Sequence, residues 1–271
     1  MFGPWFRGIF AIEFHQNLYL MKLRNLPKLF ACAALLFSTL MLSAQEGNVK
    51  LNVAADIVSR YVWRGLDYGA SPNIQPTLSL TAGNFEIGYW GAFNTLGTYS
   101  EVDLYAKYTL GRVSLGVTDY FFPINGVPGS DGQKYFNFEN ATTGHLLEAF
   151  GQYIGTENFP ISLLASVMVY GNDKNFAEPS ISATNDTTFA HNYSAYVEFG
   201  YSFSSKGQAL DAFVGFTPDA GLYGSEAGVV NAGLSTSKKI AITQSFELPV
   251  KASVITNPLT QNIYFVLGIT L

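Results

Sequence analysis

The chain has 271 residues, of which 48% are hydrophobic, 15% aromatic and only 13% charged, with a formal net charge of −5. A disordered chain would be poorer in aromatics and richer in charge, and a nucleic-acid-binding protein would carry a basic excess, so both classes are excluded. Soluble globular domains carry about 25% charged residues, nearly twice the fraction here, which implies that something other than water solvates part of the surface.

The first feature in chain order is an apolar run of 16 residues from Leu29 to Ala44. Lys22, Arg24 and Lys28 precede it and the small residues Ser43 and Ala44 close it. That is the pattern of an export signal, and the run is short for a spanning helix. Met21 stands at the natural start of this signal. Residues 1–20 are therefore read as an upstream extension from a misplaced start, 21–45 as a signal peptide cleaved near Ala44 or Gln45, and 46–271 as the mature domain. The run Leu29-Phe30-Ala31-Cys32 looks like a lipobox. Lipidation of Cys32 would leave the apolar stretch Ala33 to Leu42 on the mature N-terminus, and Phe30 is bulky for its place, so simple cleavage is preferred. Removing residues 1–45 leaves 11 basic against 19 acidic residues, a net charge of −8, and no cysteine. No disulfide framework remains.

After the signal, apolar and polar residues alternate with period two, the signature of strands with two unlike faces. Twelve strands are predicted near 50–64, 72–82, 85–93, 101–110, 113–121, 145–154, 161–170, 192–204, 209–217, 228–238, 245–256 and 262–271. In the second, Ile74, Pro76, Leu78 and Leu80 alternate with Asn73, Gln75, Thr77 and Ser79. In the eighth, Tyr193, Ala195, Val197, Phe199, Tyr201 and Phe203 alternate with Asn192, Ser194, Tyr196, Glu198, Gly200 and Ser202, a second face too polar for a packed core. Most of these strands exceed the five or six residues usual in soluble sheets and approach the 9–11 that cross a bilayer when tilted. Connections alternate in size: 65–71, 94–100, 122–144, 171–191, 218–227 and 257–261 are mostly long, whereas 83–84, 111–112, 155–160, 205–208 and 239–244 are short.

Two hairpins test the reading. With Gly83-Asn84 as a two-residue turn, Leu80 faces Ile87 and Leu78 faces Tyr89; with Gly111-Arg112 as another, Leu110 faces Val113 and Tyr108 faces Leu115. Parity is kept in both. A secreted sandwich would also alternate, but it would not need such long regular spans or aromatics at exposed strand ends. The final strand alternates Ile263, Phe265, Leu267, Ile269 and Leu271, resembling the C-terminal signal of assembled barrels with Leu271 in place of the usual Phe. The expected fold is all-β, a transmembrane antiparallel β-barrel of about 12 strands, with short periplasmic turns and both termini in the periplasm. Its expected location is the outer membrane of a Gram-negative cell. Outer-membrane lipid, the barrel assembly machinery during biogenesis and small solutes are its expected partners; nucleic acid is not.

Ser59, Tyr61, Arg64 and Gly65, then Pro72 and Gln75, then Phe85, Gly88 and Trp90 form a pattern within about 33 residues. It resembles the N-terminal signature of the TorF-type porin family. The resemblance implies a porin-like outer-membrane role and names no substrate. The Ser-Ala-Gln end of the signal also resembles signals of the Bacteroidota.

On the first predicted strand the apolar parity is Leu51, Val53, Ala55, Ile57 and Tyr61, so Asn52, Asp56, Arg60 and Arg64 are assigned to the lumen. Arg60, Arg64, Gln75 and Trp90 then form one lumenal patch toward the outer side. Either this patch is a constriction that contacts solute, or guanidinium and indole brace the wall with Glu101 and Asp103 as partners. Asp56, Lys107, Glu198 and Lys251 complete the expected pore lining. The polar parity carries eight acids, Asp56, Glu86, Glu101, Asp103, Glu148, Glu198, Asp211 and Glu247, against the bases Arg60, Arg64, Lys107 and Lys251, so a weak lean toward cations is expected.

No catalytic set is evident. A dyad on a barrel wall needs His and Ser two residues apart on one face, but His145 has Leu147 there and His191 has Tyr193. Asp173, Asp186 and His191 have no ordering motif, and no cofactor or metal site is expected. The favoured function is passive diffusion of small solutes through a porin-like channel. The alternative is a closed structural or surface-interaction barrel acting through its long loops 122–144 and 171–191.

Overall fold

The computed structural model describes residues 49–123, 134–181, 187–205 and 207–271. The expected upstream extension 1–20 and signal peptide 21–45 lie outside the described residues. In chain order the strands are β1 (Val49–Val58), β2 (Val62–Trp63), β3 (Leu66–Asp67), β4 (Asn73–Ala82), β5 (Phe85–Asn94), β6 (Ser100–Leu110), β7 (Val113–Phe121) and β8 (His145–Thr156). They continue as β9 (Phe159–Gly171), β10 (Lys174–Ile181), β11 (Thr187–His191), β12 (Ala195–Ser205), β13 (Gln208–Thr217), β14 (Gly228–Ala241), β15 (Glu247–Asn257) and β16 (Asn262–Thr270).

Twelve of these strands close into one antiparallel barrel in the order β1-β16-β15-β14-β13-β12-β9-β8-β7-β6-β5-β4. The expected all-β barrel of about 12 strands is thus what the chain forms. The seam is made by β1 and β16, with Asp56 opposite Thr270 and Val58 opposite Gly268. Both short hairpins keep the expected register: Leu80 pairs with Ile87 and Leu78 with Tyr89, and Leu110 pairs with Val113 and Tyr108 with Leu115. At Gly111 the turn takes φ of 60°, a value that a two-residue hairpin of this kind reserves for glycine.

The barrel is inside-out compared with a soluble sheet protein. Leu51, Val53, Leu110, Leu115, Phe265 and Leu267 expose 62–71% of their surface. The intervening residues Ser79, Ser114, Ser166, Asn231, Ser235 and Ser253 are buried in the lumen. Water does not favour a continuous apolar outer wall over a polar interior, whereas lipid does, because a closed ladder leaves no backbone group unpaired in hydrocarbon.

Two expectations are corrected. The first strand ends at Val58 rather than at 64, and residues 59–72, expected partly as strand and partly as an external loop, turn into the barrel and form the β2–β3 hairpin. Parity assigned beyond Val58 therefore fails: Tyr61, expected on the lipid side, is only 7% exposed and packs inside. The 171–191 connection is also not plain loop, since β10 and β11 pair there, with Lys174 opposite His191.

Candidate functional site

The site begins where β1 leaves the ladder. Ser59 makes the last contacts with β16, its N–H donating to the Leu267 carbonyl at 2.7 Å and its hydroxyl accepting from the Leu267 N–H at 3.0 Å. The chain then doubles back on itself, with Tyr68 N–H donating to the Tyr61 carbonyl at 2.9 Å and Trp63 paired with Leu66. The tip is Arg64-Gly65, at φ of 50° and 77°. Positive φ at both central residues is the geometry of a type I′ hairpin turn, for which Asn-Gly is the common choice. An arginine held there is uncommon and strained, so the surroundings must hold it in place.

They do so from across the lumen. The Arg64 guanidinium is bound by Glu148 on β8, one contact being Nη2 to Oε2 at 3.0 Å and a second joining Nη1 to Oε1. It also donates to the hydroxyl of Tyr223, and it stacks over the rings of Trp63 at 4.4 Å and Tyr196 at 4.6 Å. Glu148 accepts further from the Tyr120 hydroxyl at 2.8 Å and from Tyr223 at 3.2 Å. The side chains of Arg64 and Glu148 are 9% and 1% exposed. Burial opposes the Arg64 charge, but the Tyr223 hydroxyl and the Glu148 carboxylate outweigh it and hold the guanidinium protonated above its ordinary range. Gly65 allows this approach: a Cβ there would lie 1.8 Å from the Val230 carbonyl oxygen on β14. The Asn257 amide donates to the Gly65 carbonyl at 3.3 Å.

The root of the hairpin is seated on aromatic rings. Tyr61 lies 5.4 Å from Trp90 and 5.5 Å from Tyr68, and Tyr68 lies 5.3 Å from Tyr99. Tyr99 donates to Glu101 at 2.7 Å. Burial first, and then the Glu101 carboxylate, push the Tyr68 and Tyr99 hydroxyls up, so both remain donors.

Of the residues expected to line a pore, Arg64 stands at the hairpin tip rather than on a strand. Trp90, Glu101 and Asp103 lie beneath the hairpin root, the two acids 2% and 4% exposed, with the Asp103 Oδ1 atom lacking a hydrogen-bond partner among the described residues. Arg60 stands at the hairpin's entry, paired with Asp67 at 3.4 Å. Gln75, Asp56 and Lys251 share one cavity with Arg60. Lys107 pairs with Glu86 at 3.1 Å on the short-turn side. Glu198 accepts from Tyr196 and from Asn231 at 2.8 Å. The expected single patch of Arg60, Arg64, Gln75 and Trp90 is therefore divided: Arg64 reaches across to β8, and the other three stay with β1, β4 and β5.

Sequence reasoning gave no role to Trp63, Tyr120, Tyr196 or Tyr223, although all four hold Arg64 in place. A usable signal was present in Val62-Trp63-Arg64-Gly65-Leu66-Asp67, a two-residue turn flanked by short alternating arms. The histidines serve connections at the barrel rim. His145 Nδ1 lies 2.9 Å from Asp119 and Nε2 lies 2.6 Å from the Tyr135 carbonyl, while Asp173 accepts from the Ser194 hydroxyl at 2.6 Å. Asp186 lies outside the described residues.

No family model matches the sequence, and neither does any curated protein. Among solved structures the chain is similar to an outer membrane channel from Pseudomonas putida F1, at 13% identity over 82% of this chain and 94% of that one, with a TM-score of 0.35. So distant a likeness carries no argument, and the fold rests on this chain's own closed ladder. Within the TorF-type pattern, Ser59, Tyr61, Arg64, Gly65 and Trp90 all build the inward hairpin or its seat.

Proposed function

We propose that the protein is a porin-like outer-membrane channel for passive diffusion of small solutes, with the β2–β3 hairpin as its constriction. The observation that carries this reading is the hairpin itself, a segment turned into the lumen and held across it by Arg64, above a lower half that stays polar and open to water. The export signal and the apolar outer wall support an outer-membrane location, with the long connections outside and the short turns in the periplasm. Outer-membrane lipid and the assembly machinery are the corresponding partners. Membership of the TorF-type porin family belongs to the same reading, carried by the residues of the hairpin.

A weak lean toward cations is part of the proposal. Arg64, Glu101, Asp103 and Glu148 are withdrawn from water by the hairpin, but the water-accessible lumenal groups still comprise five acids, Asp56, Glu86, Glu198, Asp211 and Glu247, against Arg60, Lys107 and Lys251. A low-dielectric wall focuses that field along the bore.

Single-channel recording of the purified barrel in a planar bilayer tests the channel. Discrete conductance with a modest cation preference is expected. The second reading, a closed structural barrel, is favoured by the near-complete burial of the Arg64–Glu148 pair, and absence of any conductance would establish it over the first. For orientation, tags at Gly83 or Gly207 are expected to be hidden on intact cells, and tags at Asn125 or Asn185, which lie outside the described residues, to be accessible. Surface labelling at Gly83 would reverse the assignment.

A further inference from the structure

Below the hairpin root, against the β1–β16–β15 wall, lies a cavity of about 200 Å³ that the Arg64 latch does not use. At ~30 Å³ per water it has room for a small organic solute. Arg60, Gln75, Lys251 and Ser253 line it with polar groups. Gln75 is 7% exposed and Ser253 9%, and neither side chain has a hydrogen-bond partner among the described residues. Their polar atoms are not cut off from solvent, so both face the open space of the cavity, where water or a solute supplies the partner. Lys251 is exposed and has no ion pair among the described residues. Arg60 pairs with Asp67 at 3.4 Å and lies over the Tyr264 ring at 5.6 Å, with a third of its side chain open, which leaves part of its five-donor fork free.

The acid in the cavity is already engaged, since Thr270 donates to Asp56 at 2.5 Å. Asp67 offsets Arg60, so Lys251 is the cation of the cavity that has no carboxylate of its own among the described residues. Tyr61 at the hairpin root and the aliphatic side chains of Val58, Ile255 and Val266 make up most of the rest of the wall. A planar guanidinium fork matches a carboxylate in geometry as well as charge, and the aliphatic wall suits a short carbon chain. We infer that this cavity is a binding subsite for short-chain carboxylates, with Lys251 and Arg60 holding the carboxylate, Gln75 and Ser253 orienting it, and the aliphatic wall taking the chain. The inference rests on the reading of the lumen as a path for small solutes and names a solute class for it. A local anion subsite is compatible with a cation-leaning vestibule, because one is set by two side chains and the other by the summed field.

The test is saturation-transfer NMR on the barrel in detergent micelles, with butyrate as probe and tetramethylammonium as its cationic counterpart. Saturable transfer to butyrate is expected, weakened about tenfold by Lys251→Gln and several-fold by Arg60→Gln and Gln75→Leu, on the scale of one lost charge-assisted contact. Glu247→Gln, far down the vestibule, should leave it unchanged. Heat-modifiable migration of each variant confirms the folded barrel. Equal butyrate affinity in wild type, Lys251→Gln and Arg60→Gln would overturn the subsite, as would tetramethylammonium binding as well as butyrate. Because no current is measured, a barrel that binds butyrate but does not conduct keeps this site and loses the channel, and a conducting barrel without butyrate binding does the reverse.

Discussion

The two halves of the lumen are lined from the same strands, yet they treat charge in opposite ways. At the long-connection end, Arg64 and Glu148 meet in a nearly dry nest of Trp63, Tyr120, Tyr196 and Tyr223, and the acids Glu101 and Asp103 are covered by the hairpin root. At the short-turn end, Lys107 and Glu86 pair with 29% and 23% of their side chains exposed, and Asp211 is exposed and accepts from Ser202 at 2.6 Å. One end uses charge to fix a segment of chain; the other leaves charge for water and ions. The difference comes from the inserted hairpin, which removes solvent and so raises the cost of any unmatched group.

The sharpest way to break this comparison is to remove a partner from each pair. Arg64→Ala leaves Glu148 buried without its cation and should cost about 3–5 kcal/mol, whereas Lys107→Ala should cost at most about 1 kcal/mol. Urea unfolding in micelles measures both, and equal losses would mean that the upper pair is wet after all. Gly65→Val comes next. The added carbons collide with the Val230 carbonyl at φ of 77°, so the hairpin should be displaced at a cost of about 1–3 kcal/mol with a rise in single-channel conductance. Gly83→Val provides the contrast, since nothing lies within 4 Å of its Cβ position; it should strain the turn without altering conductance.

The smallest effect is on ion preference. Asp211→Asn and Glu86→Gln should each reduce the reversal potential measured across a salt gradient, while Glu101→Gln, under the hairpin, should not. The lean itself should fade toward 1 M salt, where screening shortens to about 3 Å. A Glu101→Gln effect as large as that of Asp211→Asn would show that ions reach the space beneath the hairpin root.

The barrel was legible because each strand carries its own instructions. Leu78-Ser79-Leu80 states its faces locally, Gly83-Asn84 sets the register of its hairpin, and lipid outside with water inside rewards the same alternation in all twelve strands. The hairpin was harder to read, because period two in 50–58 runs on through Arg60: the Arg64-Gly65 turn between short arms marks the hairpin, but the point at which the strand leaves the ladder, Ser59, has no local signal. Continuing parity past that point placed Tyr61 in lipid and Arg64 on the wall.

By itself, the sequence determined strand number, register at the short turns and which face meets lipid, all of which follow from contacts between neighbours in the chain or in the ladder. Tertiary structure alone decided that Arg64 meets Glu148, 84 positions away, and Tyr223, 159 positions away. Those meetings depend on barrel closure, which brings distant strands to face one another across a lumen. A charge whose partner lies across that space has no periodic signal, because the distance that matters is the width of the barrel rather than a spacing along the chain.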